Sequence, residues 1–160
     1  MTHRIFRSIL FAATAVMLLA LAVIFGVMYE YSSGIQKRQL SDELGLAASA
    51  VTMSGRGYLE SLGQSDSRLT WIASDGSVIY DTKSDSRSLE NHSDREEFKE
   101  AIETGYGECS RYSSTLTETT DYIAKKLEDG SVLRISESRA SVLALALGML
   151  HPMIVIFVLA

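Results

Sequence analysis

The sequence predicts an α+β domain held at a membrane. Three features carry this: an uncharged apolar run near the N-terminus, a helical stripe after it, and a later change to short strands broken by Asp-Gly turns. The full expectation is a long N-terminal helix and a short helix packed on a five-stranded antiparallel sheet, flanked by two transmembrane helices.

The first run is Ser8 to Tyr29, SILFAATAVMLLALAVIFGVMY. As a helix it would be ~33 Å long, enough for a hydrocarbon core of ~30 Å. Only a helix satisfies its own backbone groups in lipid over one such segment. Arg4 and Arg7 precede it and favour a cytoplasmic N-terminus. Residues 1–7 are then a cytoplasmic tail and 8–29 the first span. A cleaved signal peptide would have a shorter apolar core, and Ala20-Leu21-Ala22 lies inside the run rather than after it. Ala140 to Ala160 is a second run without Asp, Glu, Lys or Arg, so 140–160 reads as a second span and 30–139 as one domain outside.

The net charge of −5 conceals an asymmetry. All 20 acidic residues and 13 of the 15 basic ones lie within residues 30–139, which leaves the outer segment at −7. Such a balance argues against nucleic acid as a partner. The single cysteine, Cys109, excludes an internal disulfide and is expected to pack as a small apolar residue. The three histidines fall at 3, 92 and 151, in three different compartments, so no metal cluster is expected. No phosphate-cradling glycine loop or Gly-x-Ser-x-Gly elbow occurs, and neither catalysis nor a cofactor is expected of this region.

Between Glu30 and Leu62, Leu40, Leu44, Ala47, Ala48, Val51, Tyr58 and Leu62 recur at helical spacing. This stripe predicts a long helix packed on its own sheet, on a second subunit, or both. The runs 69–74 and 77–81 then read as strands joined at Asp75-Gly76, because tight hairpin turns need positive φ. Ser93-Asp-Arg-Glu96 has the form of a capping box and predicts a helix from about Ser93 to Gly105. On it Glu96, Glu100 and Glu103 read as a solvated face. Strands follow at 108–116, 121–127 and 131–136, the last two joined at Asp129-Gly130, a near copy of the first turn.

Candidate binding residues cluster around that short helix. His92 and Arg95 flank its start, where N–H groups attract anions. Arg111, Tyr122 and Lys125 come from neighbouring strands. Together they could hold a carboxylate or phosphate; equally, Arg95 could pair with an acid while Arg111 and Lys125 face water. In the second run, Ala140, Ala144 and Gly148 fall four apart, a row that lets helices approach closely, and Pro152 marks a kink.

The ordered segments RLTWIASDGSVIYDT, ENHSDREEFKEAI, GECSRYSSTL, TDYIAKKL and DGSVLRIS, with LALALGMLHPMIVIFVLA after them, cover nearly the whole chain. This set resembles the extracytoplasmic sensor and transmembrane region of bacterial sensor histidine kinases of the phosphate-regulon type. The resemblance implies a PAS-like, Cache-like fold, a homodimer, and a multi-pass place in a bacterial plasma membrane. It implies a parent chain that continues into phosphoacceptor and ATP-binding domains and works through a cognate response regulator. The close at Phe157-Val-Leu-Ala160, without basic residues, reads as a truncation. Glu97 stands where the family commonly has proline at or near this position, and no functional loss is attached to it. A chemoreceptor, a cyclic-dinucleotide synthase, or a stand-alone membrane-anchored module that binds a protein are the alternatives.

Overall fold

The computed structural model describes residues 2–62, 67–113 and 118–140, together with Gly148. The chain divides into two units, residues 1–37 and 38–160. Helix α1 (Thr2–Ser54) supplies the first unit and enters the second. Within it an 18-residue stretch has mean hydropathy 2.7 and no covering protein, so among the described residues one helix is long and apolar enough to cross a membrane. Phe11 is 79 % exposed and Leu19 67 %. In water that surface would cost about 25 cal/mol per Å², which a hydrocarbon environment removes. The expected second span falls outside the described residues apart from Ala140 and Gly148. Ala140 ends a strand rather than opening a helix.

The second unit is α+β. After α1 come α2 (Arg56–Ser61), β1 (Arg68–Ile72), β2 (Val78–Asp81), α3 (Glu96–Thr104), β3 (Tyr106–Ser113), β4 (Glu118–Lys126) and β5 (Val132–Ala140). The strands form one sheet in the order β2-β1-β5-β4-β3, every pairing antiparallel. The five expected strands are present, with shifted ends. The last runs four residues beyond Ser136, because β4 offers partners as far as Glu118, which pairs Ala140.

The stripe on α1 is buried: Leu40, Leu44, Ala47, Ala48 and Val51 form one cluster with Leu59, Leu69, Ile123, Leu133 and Ile135, and Tyr58 and Leu62 pack at its margin. The stripe therefore packs on the domain's own sheet. The helix expected over 30–62 is interrupted at Gly55, whose φ of 57° is left-handed and ends α1 before α2 begins. On the opposite face of the sheet Ile72, Ala124 and Val132 cluster with Phe98 and Ala101 of α3.

The two Asp-Gly turns are built alike. Asp75 Oδ1 accepts from Ser77 N (2.9 Å) and Ser77 Oγ (2.6 Å), and Asp129 Oδ1 accepts from Ser131 N (2.9 Å) and Ser131 Oγ (2.6 Å). The serine hydroxyl in each holds the carboxyl below its usual pKa.

Helix α3 starts later than expected. Its N-cap is Arg95, with no side-chain cap, and the Ser93 capping box does not form. Ser93 N donates instead to Asn91 Oδ1 (2.8 Å), and Arg95 N donates to His92 O (3.0 Å), closing a turn ahead of the helix. The expected stop holds: Gly105 takes φ 92°, and its N–H bonds Ala101 O at 2.9 Å.

Truncating a stripe residue should be costly where truncating its exposed neighbour is not. Leu44→Ala should lose roughly 2–5 kcal/mol, and Leu46→Ala, 75 % exposed, no more than about 0.5 kcal/mol. Urea unfolding of the chain in detergent, followed through the single tryptophan, Trp71, measures both.

Candidate functional site

The face of the sheet under α3 is built from aligned rows. Register pairs Asp81 with Thr70, Thr70 with Arg134, Arg134 with Ala124, and Ala124 with Gly107. Those five residues lie side by side across all five strands. Because side chains alternate, the next row on this face is Arg68, Ser136, Tyr122 and Cys109, and the one beyond it holds Ser138, Thr120 and Arg111.

Helix α3 sets Glu97 into this face. A Cβ on Gly107 would collide with the backbone at Glu97 and come within 2.9 Å of Ala101 N. The bare glycine is what lets the helix come so close. Glu97 is fully buried, at 0 % exposure. Its Oε1 accepts from Arg134 Nη1 at 3.1 Å, and its Oε2 pairs with Arg111 Nη2. Arg134, itself 5 % exposed, also donates through Nη2 to Thr70 Oγ1 (3.2 Å). Thr70 Oγ1 in turn donates to Asp81 Oδ2 (2.8 Å), and Arg68 Nε reaches both Asp81 oxygens, at 3.0 and 2.9 Å. The Tyr122 ring meets both arginines, with Arg111 Cζ 4.4 Å and Arg134 Cζ 5.3 Å from its centroid.

One carboxylate thus faces two guanidiniums, and the group carries an excess positive charge. Burial lowers the Arg134 pKa, with Glu97 acting against it. Burial also opposes the charge on Arg111, but Glu97, Cys109 and Tyr122 together outweigh it and the pKa rises. His92 is 6 % exposed. Burial pushes its pKa down to about 4, helped by Arg134, Arg95 and Arg68 and opposed by Glu97.

Of the residues expected from sequence, Arg111 and Tyr122 belong to this cluster, and His92 is buried within reach of its charges. Arg95 is the half-buried N-cap of α3, and its charge acts on His92. Lys125 does not belong. It pairs with Leu133 and Tyr106 on the other face and is exposed. Its neighbour Lys126 reaches α3 instead, donating from Nζ to Ile102 O at 3.0 Å. Cys109 is half-buried, but it does not pack as an apolar residue: Sγ donates to Glu96 Oε2 (3.1 Å), and burial with this bond raises the thiol pKa. The acidic face of Glu96, Glu100 and Glu103 is exposed as expected, and Glu100 Oε2 also accepts from Glu108 N (3.0 Å).

The central residues, Glu97, Arg134, Thr70, Asp81 and Arg68, were not among those expected. A signal for Glu97 existed: it lies four before Ala101 and next to Phe98, on the apolar side of α3. Comparison of the chain with protein-family models, curated proteins and solved structures finds no match among any of them.

Glu97→Gln should destabilise the domain by roughly 3–5 kcal/mol, because it leaves the buried Arg134 and the half-buried Arg111 facing a neutral amide. The double change Glu97→Met with Arg134→Met should recover much of that loss in denaturant unfolding.

His92 binds fewer protons folded than unfolded. Its contribution is fully present above the unfolded pKa of 6.5 and is lost as pH falls toward about 4. Stability should therefore drop through that window by on the order of 1 kcal/mol per pH unit. The profile of His92→Leu should be flatter there.

Proposed function

We propose that the chain is the signal-input region of a membrane-bound sensor histidine kinase of the two-component type, with a PAS-like domain outside the membrane. The observation that carries this is the buried, positively biased cluster around Glu97, set in a small α+β domain whose N-terminal helix is apolar enough for a membrane. A structural core has little need of two guanidiniums around one carboxylate, since apolar replacements are often as stable. A charged face held under a short helix suits recognition of a small anionic ligand. The five-stranded antiparallel sheet with helices on both faces supports the PAS-like reading.

In this reading both termini are cytoplasmic and the second span follows β5. Residues beyond 160 in a parent chain would carry the phosphoacceptor and ATP-binding domains and meet the response regulator. Helix α1 contains no proline between its apolar run and the stripe on the sheet. A ligand would act only through its difference in affinity for two arrangements of the domain. The chain would work as a homodimer. Its seam would use a side of α1 other than the Leu40–Val51 stripe, which the sheet occupies; Leu46 and Met53, exposed and seven residues apart, lie outside that stripe.

Labelling with a membrane-impermeant maleimide tests the topology in intact cells, in a Cys109→Ser background. Ser88→Cys should react and Ser8→Cys should not; the reverse pattern would sink the reading. In the same membranes, Leu46→Cys and Met53→Cys should form disulfide-linked dimers, and Leu44→Cys should not.

A further inference from the structure

Two buried side-chain atoms have no hydrogen-bond partner among the described residues: His92 Nδ1 and Arg134 Nε. Both residues are more than nine-tenths buried, at 6 % and 5 % exposure. An orphaned polar atom in such a place has lost its hydration with no bond to replace it, and the cost is greater when the group is charged. Natural cores leave few of them, and two in one charged cluster call for an occupant.

The start of α3 belongs to the same neighbourhood. His92 O closes the turn onto Arg95 N (3.0 Å), and Arg95 is the N-cap. Two residues into the helix, Glu97 bonds Arg134 at 3.1 Å. The first turn of this nine-residue helix has no side-chain cap, so its N–H groups add positive potential. Arg134 and Arg111 already share one carboxylate, and Arg95 and Arg68 add further positive charge. Asp81 is taken by Arg68 and Thr70.

We propose that this cluster is an oxyanion site: Arg134 Nε–H and the His92 ring, beside the uncapped start of α3, hold one carboxylate or phosphate group. The Nε–H edge gives a charge-assisted bond to one anion oxygen while the Nη atoms stay with Glu97 and Thr70. His92, with its proton on Nδ1, donates to the same group. Both donor atoms are closed to solvent, so the anion is small and enters when α3 and its preceding turn open. The role of the anion as a signal rests on the sensor reading above; its binding does not.

The test uses the 160-residue chain in detergent micelles, with inorganic phosphate, acetate and succinate as probes and sodium chloride at matched ionic strength as control. Thermal unfolding and titration calorimetry are the readouts. At least one probe should bind saturably and raise Tm beyond the chloride control. His92→Leu should weaken that binding by about tenfold or more, with Trp71 fluorescence confirming the fold. Arg134→Lys, which keeps a charge but loses the Nε edge, should abolish it; if that variant does not fold, His92→Leu decides. Binding of phosphate alone identifies an inorganic ligand, of acetate or succinate alone an organic acid, and of both a site for the shared group. No saturable effect above chloride, or an effect unchanged in His92→Leu, overturns the site. Maleimide labelling decides topology independently, so the two readings fail separately.

Discussion

A fully buried carboxylate is the constraint on which the domain depends. Removing Glu97 from water is expensive, and only close, well-directed positive partners offset it. Arg134 meets it from the middle of the sheet and Arg111 from the edge strand. Each partner needs support in turn. Thr70 and the Tyr122 ring orient Arg134; the same ring backs Arg111. Gly107 admits the helix that brings Glu97 down. Strand register, helix position and one glycine are therefore coupled through a single side chain.

The sheet divides its two tasks between its faces. Leu69, Ile123, Leu133 and Ile135 face α1 and α2 in an apolar cluster. Residues one step away in each strand face α3, and there the polar row begins. Alternation makes this separation automatic: adjacent residues such as Leu133 and Arg134 take opposite sides without any irregularity in the strand. Stability can be drawn from one face while the other keeps polar groups whose arrangement is sensitive to protonation or to a bound ion.

Much of this was legible in the sequence, for identifiable reasons. The apolar run has a length and purity that only a membrane or a deep core explains. The Leu40–Val51 stripe has a period that two-fold or irregular structure would not produce. The Asp-Gly turns declare themselves because left-handed φ strongly favours glycine. What was hidden depends on tertiary partners. Arg134 looks like a solvent-facing residue of an alternating strand, since nothing local says that a helix covers it. Glu97 looks like one more acid in an acidic helix. Lys125 and Lys126 are indistinguishable until register assigns their faces. The Ser93 capping box failed because Asn91, two residues away, took the N–H that the motif requires.

The separation of these partners along the chain sets an order on folding. Arg134 bonds Glu97 across 37 residues and Thr70 across 64. Closing such loops costs entropy before any contact repays it, so distant contacts form late. A half-assembled sheet with β5 in place and α3 absent would leave Ile72, Ala124 and Val132 open to water and Arg134 without Glu97. That species has spent the loop entropy without gaining the apolar burial or the ion pair that repays it. The α3 helix and the central strand therefore arrive together, and partly folded forms that expose the sheet's charged face should be short-lived.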